Sequence, residues 1–383
     1  MKVAGFTSTG SKRPEALFGV GAAGAPTRLA RSAGCRVTDD QGRTYLDFIM
    51  ALGAVGLGYG HPAVTAAVTD AAARGAVGPL APVLEEEVAV EIVRLLPGVD
   101  QVRFLKSGAE ATAAAVRLAR TATGRDQVLG CGYHGWLDWC SRERGVPEVV
   151  RHLYGEIPFN DPERSVDLIR AVGSTLACVI IEPVIDAAPD PAWLAAVRSE
   201  ADRAGAVLVF DEMKTAFRIA LGGAAARYGV VPDLTVIGKA LANGFPLAAV
   251  GGRADLMAKV GETWISSTLA TEFVSLAAAR ATLAVIESDG VPNHLGRIGA
   301  LLYAGLERLQ QRYPGLIERV GGIPEMCYLR FRDAGVSGQM ALRAVERGLL
   351  FKRTAYNFVS LAHGPPEIES ALASLDDVLG SLT

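Results

Sequence analysis

Short runs of β-branched and apolar residues alternate with longer stretches rich in Ala, Leu and Arg along most of the chain. That rhythm predicts strand–helix–strand units and a mainly parallel sheet. Strands are expected over residues 101–105, 127–130, 178–182, 207–210, 234–237 and 248–251, and helices over 61–75, 84–96, 110–123, 192–204 and 272–288. The segments ACVIIEPV and AVLVFDE are nearly continuous apolar runs, as in strands covered on both faces. Each delivers an acidic residue at its carboxyl end, Glu182 and Asp211. In open α/β sheets that edge is where ligands bind. Residues 56–290 therefore read as one large α/β domain.

The flanking segments have a different pattern. After residue 291 come helices expected over 298–312, 338–346 and 365–379, with strands near 326–331 and 357–362. Toward the N-terminus, residues 35–38 and 44–47 suggest a hairpin across Asp40-Gln41-Gly42. Residues 1–55 and 291–383 are thus expected to form one small α+β domain that is discontinuous in sequence.

Composition narrows the classes. Half of the 383 residues are hydrophobic and 21% are charged, as in a packed enzyme. A formal net charge of −3 leaves no nucleic-acid footprint. No apolar run reaches the roughly 20 residues of a membrane-spanning helix. The opening MKVAGFTSTGSKRPEALFG lacks the apolar core of a secretion signal. The five cysteines (35, 131, 140, 178 and 327) are scattered singly, which argues against a disulfide framework and against a zinc site. A cytoplasmic protein with no membrane or nucleic-acid partner and no metal is the expectation. Arginines far outnumber the seven lysines (2, 12, 106, 214, 239, 259 and 352), so a lysine beside an apolar run stands out.

Four motifs carry candidate chemistry, and each alone has an ordinary structural explanation. Lys106-Ser107-Gly108-Ala109-Glu110 runs from a strand into a helix, whose first-turn N–H groups can bind phosphate; Ser107 could equally be a plain N-cap. Gly132-Tyr133-His134-Gly135 places an aromatic ring and an imidazole at a strand end, suited to stacking on a flat ligand or to simple packing. Asp211, ending a buried strand in Phe210-Asp211-Glu212-Met213-Lys214-Thr215, needs a partner: a pyridinium N–H, or the next turn. Lys239 follows the apolar Val236-Ile237-Gly238, where desolvation would make its amine nucleophilic unless it reaches solvent. Taken together, in this order at successive strand ends, they form the set that pyridoxal 5'-phosphate (PLP) requires: an anion cradle, a stacking ring, a carboxylate for the ring nitrogen and a Schiff-base lysine.

The chain resembles the class III (ω-type) PLP-dependent aminotransferases of fold type I, and most closely their glutamate-1-semialdehyde 2,1-aminomutase branch. The similarity runs from GCRVTDDQGRTYLDF at residue 34 to SLAHGPPEIESAL near the C-terminus. Its most specific parts are SGAEATAAAVRLARTATGRD, GYHG, FDEMKTAFR and PDLTVIGKALANGFPLAAVGG. The resemblance implies a large PLP-binding domain and a ping-pong exchange between small amine and carbonyl substrates. It implies Ser107, Gly108 and Ala109 on the phosphate, Tyr133 and Met213 on the two ring faces, His134 beside the ring, Asp211 on the ring nitrogen and Lys239 as the internal aldimine. It further implies a homodimer with the active site at the subunit interface, in which Thr268, within Ser267-Thr268-Leu269, reaches the phosphate of the partner subunit's site.

Departures from the family pattern are as informative. Ala109 replaces the usual threonine after Ser-Gly, and Ala270-Thr271-Glu272 replaces Gly-Asn-Pro. After Glu182-Pro183-Val184 the aminomutase branch places an asparagine near the ring hydroxyl, where this chain has Ile185-Asp186-Ala187. Lys214 is either the replacement donor to that hydroxyl or a solvent-facing ammonium. Lys106, Lys214 and Lys352-Arg353 would favour a carboxylate-bearing substrate, Arg353 above all. Beside transamination, three outcomes stay open: an aminomutase, a racemase or other carbanion chemistry, and a non-catalytic binding protein of the same fold.

Overall fold

The computed structural model describes residues 2–19, 21 and 24–383. The chain divides into two compact units, residues 62–292 and residues 1–61 with 293–383.

The larger unit is built on seven strands: β1 (Gln101–Leu105), β2 (Gln127–Cys131), β3 (Tyr154–Glu156), β4 (Leu176–Ile181), β5 (Val207–Asp211), β6 (Leu234–Ile237) and β7 (Ala248–Gly252). Their order across the sheet is β1-β7-β6-β5-β4-β2-β3. Only β7 runs antiparallel to its neighbours, β1 and β6. Every residue of β4, β5, β6 and β7 is buried, which is why those segments read as unbroken apolar runs. The order places the carboxyl ends of β2, β4, β5 and β6 side by side. Strand β3, only three residues with a glycine at its centre, and helix Pro162–Val172, in which only Ser165 and Ile169 are buried, were not among the expected elements.

Helix α1 (Gly108–Thr123) lies across the sheet through a face of small residues, Ala111, Thr112, Ala114, Ala115 and Ala119, with Val116 and Leu118. Small side chains let a helix approach closely. Full burial of a side chain the size of Leu118 contributes about 2 kcal/mol. The helix begins at a capping box: Ser107 Oγ accepts from Glu110 N, and Glu110 Oε2 accepts from Ser107 N at 2.8 Å. It ends at Gly124 in a left-handed conformation.

The smaller unit holds two sheets. Leu29–Ala33, Arg36–Asp39 and Thr44–Asp47 form an antiparallel meander that Leu349–Leu350 joins in parallel, and Ile317–Ile323, Met326–Phe331 and Asn357–Phe358 form a second sheet. Helices Val291–Arg312, Ala334–Glu346 and Pro365–Gly380 complete it. The strand expected over 357–362 is only two residues long, and strand Ile317–Ile323, with Gly321-Gly322 and charged residues in it, was not expected. Residues 50–53 are four consecutive positive-φ positions. Asp47 anchors them, accepting from Ile49 N, Met50 N and the Tyr59 hydroxyl, while burial pushes its carboxyl up to about 6.

Glu212 pins the turn after β5. Its N–H donates to Val236 O, and its buried carboxylate accepts from Thr215 Oγ1 at 2.6 Å and from the N–H groups of Ala224 and Ala225. A Cβ on Gly223, which sits at φ +62°, would collide with that carboxylate. Burial pushes Glu212 up to about 7, although its hydrogen bonds favour the charged form. The folded chain therefore binds this proton more tightly than the unfolded chain, whose carboxyl titrates near 4.5, so stability falls as pH rises from 4.5 to about 7. Urea denaturation of the native chain and Glu212→Gln at about pH 5 and about pH 8 is expected to show the native chain losing roughly 2 kcal/mol more than the variant across that interval.

Candidate active site

The carboxyl ends of the parallel strands bring together most of the residues singled out in the sequence. Strand β1 leads through Lys106 to Ser107 and the first turn of α1 at Gly108 and Ala109. First-turn N–H groups have no partner inside a helix and carry the positive end of its dipole, so Gly108 and Ala109 present an anion cradle. Glu110 holds the approach to it, accepting from Lys106 N, Ser107 N and Ser107 Oγ. Thr112 Oγ1 donates to Ala109 O or to His134 O, at 3.1 and 2.8 Å, and ties the cradle to the next loop.

That loop follows β2. Tyr133 is 71% exposed, so its ring face is open, whereas His134 is buried. His134 Nδ1 lies 2.8 Å from Asp211 Oδ2, and both side chains are almost wholly enclosed. A carboxylate accepts, so this contact assigns the proton to Nδ1. His134 Nε2 is buried with no hydrogen-bond partner among the described residues, and the ring stacks on Trp139 at 6.1 Å between centroids. Asp211 Oδ1 accepts from Met213 N at 3.2 Å. The Met213 side chain lies against Gly108 and Gly238, between the α1 cradle and the Lys239 turn.

Lys239 opens a short 3-10 turn, Lys239–Ala242, at the end of β6, with φ +46°. A non-glycine residue in that conformation costs about 1 kcal/mol, and such strain concentrates at functional sites. Part of its surface remains open, yet protein encloses it on most sides. Burial holds its amine below the ordinary lysine range; the Lys214 and Arg218 charges add to the effect, and Asp211 and Glu182 oppose it.

Lys214 does not turn to solvent. Its ammonium donates to Glu182 Oε2 at 2.9 Å, with the two side chains 11% and 7% exposed. Glu182, which the sequence marked only as an acid at a strand end, is thus part of the site. A second pair was not foreseen either: Lys106 Nζ lies 2.7 Å from Glu272 Oε1. Glu272 caps helix Phe273–Ser288 through Val274 N and Ser275 N. Burial alone would raise the Glu272 carboxyl, but Lys106 and Ser275 hold it below its usual range. Ser267 and Thr268 lie in the turn before this cap, Thr268 exposed. Arg353 belongs to the smaller unit, where its guanidinium donates to Ser337 Oγ and Glu15 O.

This arrangement fits PLP: a helix N-terminus for the phosphate, a buried carboxylate aligned by an imidazole for the ring nitrogen, an open aromatic face and a desolvated amine. Comparison with known proteins agrees. The profile of the family described as aminotransferase class-III matches residues 19–368. The chain is 35% identical over 399 residues to a glutamate-1-semialdehyde 2,1-aminomutase of Roseiflexus castenholzii, covering 94% of this chain and 91% of the relative. Among solved structures, the FumI protein of Sphingopyxis sp. MTA144 in its PLP internal aldimine form superposes with a TM-score of 0.90 at 26% identity, covering 94% and 90% of the two chains. An omega-transaminase from Sphaerobacter thermophilus gives 0.86 at 26% identity, covering 94% and 92%. The chain belongs to the class-III aminotransferases, and it is a PLP-dependent enzyme of fold type I.

Replacing His134 by Leu leaves Asp211 buried without its charge-assisted partner. Spectroscopic titration of the cofactor-free protein is expected to show PLP binding weakened about tenfold or more, the equivalent of one hydrogen bond to a charged group.

Proposed function

We propose that this chain moves an amino group between a small amine and a carbonyl acceptor in two half-reactions, with Lys239 as the catalytic residue. The observation that carries the reading is the Lys239 amine itself. It is desolvated and lowered in basicity, and it stands at the same sheet edge as the Asp211–His134 pair and the first turn of α1. When bound, PLP supplies an electrophilic carbonyl carbon and a ring that accepts electrons from the substrate carbon. Gly108, Ala109 and Ser107 would hold the phosphate, Asp211 the ring nitrogen, and Tyr133 and Met213 the ring faces. Neutral Lys239 takes a proton from the substrate carbon and returns it to a neighbouring atom, as general base and then general acid.

The site is read as shared within a homodimer, with Ser267 and Thr268 of each chain facing the phosphate of the other. Exposed apolar side chains in the same unit support this, notably Leu80 at 81%, Trp264 at 89% and Leu269. The substrate is read as carrying a carboxylate. Glu182 already engages Lys214, whereas the oxygens bonded to Arg353 are neutral, which favours Arg353 for that role.

Likeness to an aminomutase supports a second reading, in which nitrogen returns to an adjacent carbon of the same molecule. Mixing holoenzyme with candidate amino donors and no acceptor separates the two. Transamination is expected to release one equivalent of deaminated carbonyl product and leave the pyridoxamine form; an aminomutase would release an isomer that keeps its nitrogen, with no deaminated product and no net conversion to the pyridoxamine form. Arg353→Ala is expected to raise KM for an acidic donor about tenfold while leaving a neutral amine unchanged, measured by steady-state kinetics.

A further inference from the structure

Three lysines flank the carboxyl edge of the sheet, Lys106, Lys214 and Lys239; carboxylates hold the first two, Glu272 for Lys106 and Glu182 for Lys214. Glu182, the residue after β4, is built to hold Lys214. Gly132 sits at φ +111°, and a Cβ there would come within 2.8 Å of Glu182 Cγ and Oε2, so the glycine leaves the space that the acidic side chain fills. Lys214 reaches Glu182 from the turn after β5, 32 residues away in sequence. No hydrogen bond or ion pair reaches Lys239 Nζ among the described residues.

We propose that the Lys214–Glu182 pair is a positioning device that fixes a compensated positive charge beside Lys239 and keeps Lys239, not Lys214, as the reactive amine. The inference rests on the reading of Lys239 as the cofactor lysine. An ammonium that donates to a buried carboxylate has no lone pair to attack a carbonyl, and stripping its proton would strand the Glu182 charge in a desolvated place. The charged groups that act on Lys239 are Lys214 and Arg218, which disfavour its ammonium, and Asp211 and Glu182, which favour it. Of these, Asp211 is engaged by His134. Asp211 and Arg218 stay the same when the pair is altered, so the change in balance depends on whether Lys214 offsets Glu182. Losing Lys214 leaves an unopposed anion beside Lys239, losing Glu182 leaves an unopposed cation, and losing both restores the native balance.

The test is a pH titration of the visible absorption of the cofactor bound on Lys239, in holoenzyme. Lys214→Met is expected to raise the midpoint by about one pH unit, and Glu182→Gln to lower it by a similar amount. The double variant and Lys214→Arg should stay near native. In cofactor-free protein, reductive methylation and peptide mass mapping should show Lys239 modified faster than Lys214, with Lys214 gaining reactivity in Glu182→Gln. Unmoved midpoints in both single variants, or shifts of the same sign, overturn the inference while leaving Lys239 as the cofactor lysine. If Lys239→Ala keeps the native absorption band, the underlying reading fails and the inference fails with it.

Discussion

A carboxylate only 2% exposed at the end of a central strand is the constraint around which the larger unit is arranged. Desolvating such a charge costs several kcal/mol unless it is paired, and Asp211 is paired with His134 at 2.8 Å and with the Met213 N–H. The pairing requires the β2 loop and the β5 turn to meet, so their two strand ends must share one edge of the sheet. Strand β4 between them is apolar throughout and tolerates burial on both faces. The Asp211–His134 contact is thus a structural requirement of the sheet and, in the proposed function, the feature that would orient a carboxylate toward the ring nitrogen.

Charge compensation recurs around that core on a smaller scale. Glu212 is satisfied by a hydroxyl and two backbone N–H groups, Glu182 by Lys214, and Glu272 by Lys106 and a helix N-terminus. Each partnership meets the hydrogen-bonding demand of a carboxylate withdrawn from water. Lys239 is the exception. Its amine has no such partner among the described residues, its backbone is strained, and its basicity is lowered. An enzyme that needs a nucleophilic amine at neutral pH benefits from leaving that group uncompensated.

Much of this was legible in the sequence because it is local. Apolar runs of four to six residues ending in Asp211, or in Gly238-Lys239, announce both the strand and the group it delivers, and Ser107 ahead of Gly108 announces the helix N-cap, though not the reciprocal Glu110 contact. The long-range pairs were not legible. Lys106 and Glu272 are 166 residues apart and Lys214 and Glu182 are 32 apart, and nothing in either segment names its partner. Strand β3 was missed for a different reason: it is three residues long and only one of them is buried, so its pairing with β2 supplies the order that its composition does not.

The central claim is that one particular amine carries the cofactor. Borohydride reduction of the holoenzyme, then proteolysis and mass spectrometry, reads this directly. The account predicts a single phosphopyridoxyl adduct on the peptide containing Lys239; an adduct on Lys214, or one distributed among several lysines, would contradict it.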